Sequence, residues 1–244
     1  MISTSWRVAT APASFQRPST NITGRWPATS GDDALTRGRF ITIEGGEGVG
    51  KTTNVDLVRQ VLEEHGCDVL TTREPGGTPL AEEIRAVLLG PRDEVVDPMA
   101  ETLLVFAARA QHVATVIEPA LIAGRWVLCE RFTDSTFAYQ AGGRGVDAQV
   151  VAQLAEYAHP GLWPDLTLYL DAPPEAAMPR IAKRSLDRFE RERQAFFERV
   201  RQAYATRARD ELQIVRIDAG RELAAVQRDI VGAVKRFLVA RDDP

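Results

Sequence analysis

The run Gly45-Gly46-Glu47-Gly48-Val49-Gly50-Lys51-Thr52 sets glycines directly before a lysine and a hydroxyl. Glycines let successive backbone N–H groups converge on phosphate oxygens, and a helix starting at the same point adds its positive N-terminal end. In such a loop Lys51 can reach the β and γ phosphates of a nucleoside triphosphate, and the Thr52 hydroxyl can ligate magnesium. Only three lysines, Lys51, Lys183 and Lys235, occur among 30 Lys+Arg, which makes Lys51 conspicuous. Glu47 is the odd member. A carboxylate among groups arranged for anions is repelled unless it faces a cation or a sugar hydroxyl.

Two further segments carry phosphate chemistry. Thr72-Arg73-Glu74-Pro75-Gly76-Gly77-Thr78 places Arg73 after an apolar run, where a guanidinium fork suits an anionic substrate, with a pair to Glu74 as the plain alternative. Glu130-Arg131-Phe132 joins a carboxylate able to hold magnesium or its water to a second phosphate-directed arginine.

These residues need a scaffold, and the flanking patterns supply one. Short apolar runs predict strands at Phe40 to Ile43, Val69 to Thr71, Trp126 to Cys129, Leu166 to Leu170 and Ile214 to Ile217. Between them lie stripes at steps of three or four: Val55, Val58 and Leu62; Leu103, Phe106, Ala110, Val113 and Ile117; Leu223, Val226, Ile230, Val234 and Phe237. Strands alternating with amphipathic helices predict an α/β fold, a five-stranded parallel sheet in a three-layer α/β/α arrangement. Ligands of such sheets bind beyond the carboxyl ends of the strands, where the three candidate segments fall.

Composition narrows the function classes. The 244 residues carry a net charge of −4, so no overall field recruits nucleic acid or an anionic membrane. The longest apolar run, Leu103 to Ala108, is far short of the roughly 20 residues of a membrane span. Cys67 and Cys129 lie far apart with no metal-ligand spacing, which fits a reducing cytoplasm. Residues 1–31 lack any acid and show no period, so residues 1–38 are expected to be a disordered extension and residues 39–244 the folded domain. Such a composition also suits a transit peptide. His65, His112 and His159 form no constellation.

Taken together, GGEGVGKTT, TREPGGTPLAEEIR, ERFTDSTFAYQAGGRG and SLDRFE resemble the thymidylate kinase family in content, order and spacing, from residue 39 to about 240. The resemblance implies phosphorylation of dTMP to dTDP by ATP and magnesium for dTTP synthesis, on a nucleoside-monophosphate-kinase version of the P-loop fold, usually as a homodimer. It implies that Gly45 to Thr52 bind ATP, that Thr52 and Glu130 serve the metal, and that Arg73 and Arg131 hold the acceptor phosphate. It further implies Glu47 near the deoxyribose 3′-hydroxyl, Tyr139 against the sugar 2′ carbon, Ser135 and Gln140 lining the pocket, and Arg109 donating to thymine. The chain departs from the family in Glu130 for a common aspartate and Ala141 for a common glycine. The position usually held by the stacking phenylalanine is Val105 here, with Phe106 beside it as the base-contact candidate.

Residues 180 to 201 hold eight Lys/Arg against four Asp/Glu, and Arg180, Arg184 and Arg188 recur every four residues. The resemblance makes this segment a lid over ATP, with Arg184 and Arg188 as its catalytic cations. The phosphate loop has no arginine of its own, so a transition-state cation must come from elsewhere. Pro179 precedes these arginines as a potential kink. Competing readings are a kinase for another pyrimidine monophosphate, a deoxynucleoside kinase, or a nucleotide-dependent switch without acceptor chemistry.

Overall fold

The five expected strands are β1 (Phe40–Gly45), β2 (Val69–Arg73), β3 (Trp126–Glu130), β4 (Leu166–Asp171) and β5 (Ile214–Asp218). They form one parallel sheet in the order β2-β3-β1-β4-β5 in a computed structural model that describes residues 37–181, 188–189, 192 and 194–242. β1 and β4 are buried along their whole length, as parallel strands covered on both faces must be, whereas the edge strands β2 and β5 are partly exposed and more polar. The hydroxyls of Thr42 and Thr167 on the paired central strands satisfy each other at 2.8 Å.

Helices α1 (Lys51–Glu64) and α9 (Leu223–Asp242) cover one face, with Val58 and Leu62 packing beside Val226, Ile230 and Val234 onto Ile41, Ile43 and Leu168. On the other face Val113, Ile117 and Leu121 meet Phe40, Val127 and Phe132. This layer begins with α2 (Pro79–Leu89) and α3 (Pro98–His112), each started by proline after a side-chain cap, Thr78 and Asp97 respectively. A π-helical turn, Val113–Ile117, links α3 to α4 (Glu118–Ile122).

The expected stripe on α3 is corrected at one position. Leu103 is exposed, and the buried face runs through Glu101, Thr102, Val105, Arg109 and His112. The reason is that α3 turns toward the cleft, where polar groups have partners. Leu223 likewise lies outside the core of α9.

After β3, α5 (Thr133–Thr136) widens into a second π-helical run, Phe137–Gly143, and α6 (Ala148–Ala158) follows. The chain then passes through β4 to α7 (Pro174–Ile181), which contains Pro179, and α8 (Gln194–Asp210). A Cβ at Gly143 would sit 2.5 Å from the Phe196 ring, so glycine there lets α8 lie directly on the π-helical run. Gly38 already belongs to the domain: its N–H donates to Leu121 O and its Cα packs on the Arg125 carbonyl. Residues 1–36 of the expected extension lie outside the described residues.

Candidate active site

The strand order reverses beside β1, whose neighbours are β3 and β4, and a cleft of ≈ 630 Å³ opens at the carboxyl ends there. One wall is the phosphate loop. Gly50 has φ +93°, a conformation glycine adopts freely, and α1 begins at the next residue. Lys51 is buried, and its ammonium donates to Gly46 O at 2.6 Å and Gly45 O at 3.3 Å. Burial pushes its pKa down to about 8, aided by nearby Arg131 and opposed by Glu47, Glu130 and Glu44. The Thr52 hydroxyl donates to Glu130 Oε2 at 3.0 Å. This brings two hard oxygen donors, from the start of α1 and the end of β3, within reach of one cation. One hydroxyl and one carboxylate are a donor set that suits an ion completing its shell with phosphate oxygens and water, as magnesium does.

The opposite wall resolves the oddity of Glu47. Its Oε1 accepts from Arg131 at 2.6 Å and from the Tyr139 hydroxyl at 2.7 Å. Arg131 also donates to Gly45 O at 2.9 Å and lies over the Tyr139 ring, 5.0 Å from its centre. The carboxylate in the anion loop thus faces a cation from the neighbouring strand end. Arg131 has φ +68°, the sole non-glycine residue in left-handed backbone among the described residues.

Arg73 also lines the cleft but does not pair with Glu74. It donates to Glu82 Oε2 at 3.0 Å and to Pro75 O at 3.1 Å. Glu74 instead turns inward and accepts from Arg109 Nε at 2.7 Å and His112 Nδ1 at 3.0 Å, all three groups being buried. Burial pushes the Glu74 carboxyl up, yet Arg109 and His112 outweigh it and hold the group below the usual carboxylate range. His112 Nε2 bonds the Thr72 hydroxyl at 2.8 Å, so a histidine without apparent role in the sequence closes a chain from β2 to α3. Arg109 reaches the cleft between the rings of Phe106 and Phe132 and donates to the Thr136 hydroxyl at 2.9 Å.

Ser135, Tyr139 and Gln140 join this wall. Phe106 does not. It packs against Val151 and Ala155, and Val105 lines the cleft in its place. The physical reason is that α3 uses the aromatic ring to fill the space beside α6, leaving the smaller side chain toward the opening.

The arrangement is a cleft in which the glycine-rich loop carrying Lys51 meets the guanidinium groups of Arg73 and Arg131. A family model described as thymidylate kinase matches residues 43–230. The chain belongs to the thymidylate kinase family. A thymidylate kinase of Chromohalobacter salexigens is 56% identical over 210 residues, covering 84% of this chain and 99% of the relative. One from Pseudomonas putida is 57% identical over 195 residues, covering 79% and 93%. The crystal structure of thymidylate kinase from Ehrlichia chaffeensis superposes with a TM-score of 0.66 at 30% identity, covering 81% of this chain and 99% of that one.

In this thymidylate kinase family member the three arginines expected in a lid divide. Arg180 falls on α7, Arg184 lies outside the described residues, and Arg188 donates to Leu88 O at 2.9 Å and pairs with buried Glu101. Glu101 also accepts from Gln140 Nε2 at 2.9 Å and Arg144 Nε at 3.2 Å. Sequence reasoning gave no role to Glu101, His112 or Glu44 and offered Glu74 only as a partner of Arg73, because each acts through a neighbour. For Glu101 and His112 the readable signal was an acid or histidine on the buried face of α3, where an ordinary core helix carries apolar side chains.

Proposed function

We propose that the chain transfers the γ-phosphoryl group of ATP to dTMP, giving ADP and dTDP for dTTP synthesis. The observation that carries this reading is one cleft with Lys51, Thr52 and Glu130 on one wall and Arg73, Arg131 and Tyr139 on the other. Loop N–H groups and Lys51 hold the donor phosphates, and Arg73 and Arg131 bring the acceptor phosphate toward them. Tyr139, fixed by Glu47, stands against the sugar and leaves no room for a 2′-hydroxyl. Arg109, locked by Glu74, presents N–H donors to the base, with Val105 and Gln140 beside it. Phosphoryl transfer leaves little covalent work for the protein, so this positioning is most of the catalysis.

Thr52 and Glu130 would hold magnesium, which supplies charge neutralisation at the β and γ phosphates. Because Arg188 is engaged with Glu101, Arg184 is the stronger of the two lid candidates for the transition-state cation. A second copy of the chain fits the apolar face formed by Leu80 and Val87 of α2 with Met99 and Leu103 of α3, all exposed. Among the described residues no helix is long and apolar enough to cross a membrane.

Coupled ADP release with a panel of acceptors tests the reading. dTMP should exceed dUMP, and dUMP should exceed UMP. Preference for another monophosphate or for a nucleoside would replace it, and nucleotide binding without any acceptor would favour the switch.

A further inference from the structure

Glu44 is fully buried near the end of β1 and does not line the cleft. Burial and the adjacent Asp134 push its carboxyl up to about 7, against the pull of Ser135, Arg131 and Tyr204. A group this costly to bury needs a compensating set of bonds. Three donors converge on it. Oε1 accepts from Phe132 N–H at 2.7 Å, and Oε2 accepts from the Ser135 hydroxyl at 2.6 Å and the Tyr204 hydroxyl at 2.8 Å.

All three donors surround Arg131. The parallel ladder between β1 and β3 continues through Arg131 N–H, which donates to Ile43 O at 3.0 Å. Arg131 then turns left-handed, and the next N–H, on Phe132, leaves the ladder for the Glu44 carboxylate. The other two donors, Ser135 and Tyr204, lie 3.3 Å and 3.5 Å from Arg131 NH1. Ser135 and Tyr204 are themselves 2.8 Å apart and come from α5 and α8, so the carboxylate joins three elements at one guanidinium.

The geometry points to Glu44 as a positioning residue that fixes both the backbone and the side chain of Arg131, and so the acceptor phosphate clamp, without touching substrate. The inference rests on the proposed role of Arg131. Its chemistry is simple: one carboxyl oxygen takes the N–H that the left-handed turn leaves without a strand partner, and the other sets two hydroxyls as a seat for the guanidinium.

Steady-state kinetics of Glu44→Ala and Glu44→Gln, alone and with Arg131→Ala, test it. Glu44→Ala should lower kcat with dTMP and raise its KM, a combined loss on the order of 10- to 100-fold, while KM for ATP stays within about twofold. Glu44→Gln should lose about fivefold, since its carbonyl can still accept from Phe132 N–H while its amide faces the two hydroxyls. With Arg131→Ala present, either Glu44 change should add under about twofold, and calorimetric dTMP affinity should show the same coupling. A merely structural role would lower the folded fraction without moving KM for dTMP. The inference is overturned by unchanged dTMP parameters in Glu44→Gln and Glu44→Ala, by an equal loss of ATP affinity, or by losses that multiply fully with Arg131→Ala. If Glu44→Ala fails to fold, the cycle built on Glu44→Gln and Arg131→Ala decides the matter by itself. Wild-type turnover of dTMP and the loss in Arg131→Ala alone test the underlying role of Arg131, so the two ideas fail separately.

Discussion

The two walls of the cleft are built in opposite ways. The phosphate loop is contiguous, its key groups lying between Gly45 and Thr52 and set by the backbone of one turn and one helix start. The wall proposed to hold the acceptor draws Arg73 from β2, Arg109 from α3, Arg131 from the end of β3 and Tyr139 from a π-helical run. Acids of other elements orient it: buried Glu74 holds Arg109, buried Glu101 holds Gln140, and half-buried Glu47 and buried Glu44 hold Arg131 with its surroundings. A site for a common group, triphosphate, can be encoded locally. A site that must tell one nucleotide from its neighbours needs side chains fixed by tertiary partners.

The largest test of this contrast is Lys51→Ala. It should reduce kcat/KM for ATP on the order of 10³-fold or more while the melting temperature stays near that of the parent, because the donor wall depends on one contiguous loop. Near-normal turnover would break the comparison at its simpler side.

Next come the acceptor residues, which should separate into affinity and choice. Arg131→Ala should lower kcat/KM for every monophosphate on the order of 10²-fold, since a phosphate contact is shared by all of them. Tyr139→Ala should instead narrow the preference for dTMP over its ribose analogue by about tenfold. A uniform loss in Tyr139→Ala would place discrimination elsewhere on this wall.

A smaller effect is expected in the pH profile. Lys51 titrates near 8 in the folded chain, below its ordinary 10.5. The protonated form binds phosphate, so kcat/KM for ATP should fall by up to about tenfold per unit above pH 8. By contrast kcat should hold to higher pH, because bound phosphate keeps the proton on. For stability the sign is reversed. The folded state binds fewer protons than the unfolded one between pH 8 and 10.5, so this group favours folding progressively more as pH rises through that window. Parallel decline of kcat and kcat/KM would show that Lys51 does not govern the alkaline limb.

The smallest effect concerns residues 1–36, whose removal should leave both walls untouched, with activity and melting temperature within error. The expectation rests on the acid-free, aperiodic composition of residues 1–31. A clear drop in either measurement would give the extension a structural role.

What could be read from the sequence follows the same division. All five strands were legible, but each runs one or two residues past its apolar stretch, to Gly45, Arg73, Glu130, Asp171 and Asp218. At Arg73 and Glu130 the backbone stays extended while the side chains turn from packing to the cleft, so on β2 and β3 the apolar pattern stops where the site begins. The glycine-rich loop stood out in the sequence because its residues are contiguous and their types and spacing form one recognisable pattern. Phe106 was misleading because Val105 and Phe106 both fall on the buried side of α3, and only the position of α6 decides which fills the core. Tyr204 reaches Glu44 from 160 positions away, a pairing no local pattern encodes.

The left-handed backbone at Arg131 has a practical consequence for anyone redesigning this cleft. Two demands compete at that position: glycine or asparagine would relax the main chain but discard the guanidinium, while lysine would keep a charge but neither the planar fork nor an easier main chain. A combinatorial library that randomises residue 131 therefore spends its diversity on dead clones. Val105 offers the better starting point, since it sits in ordinary helical backbone, lines the opening beside Arg109 and has room on its cleft side for other side chains. Varying it while leaving residues 44, 47 and 131 fixed would shift nucleobase acceptance without unseating the phosphate grip.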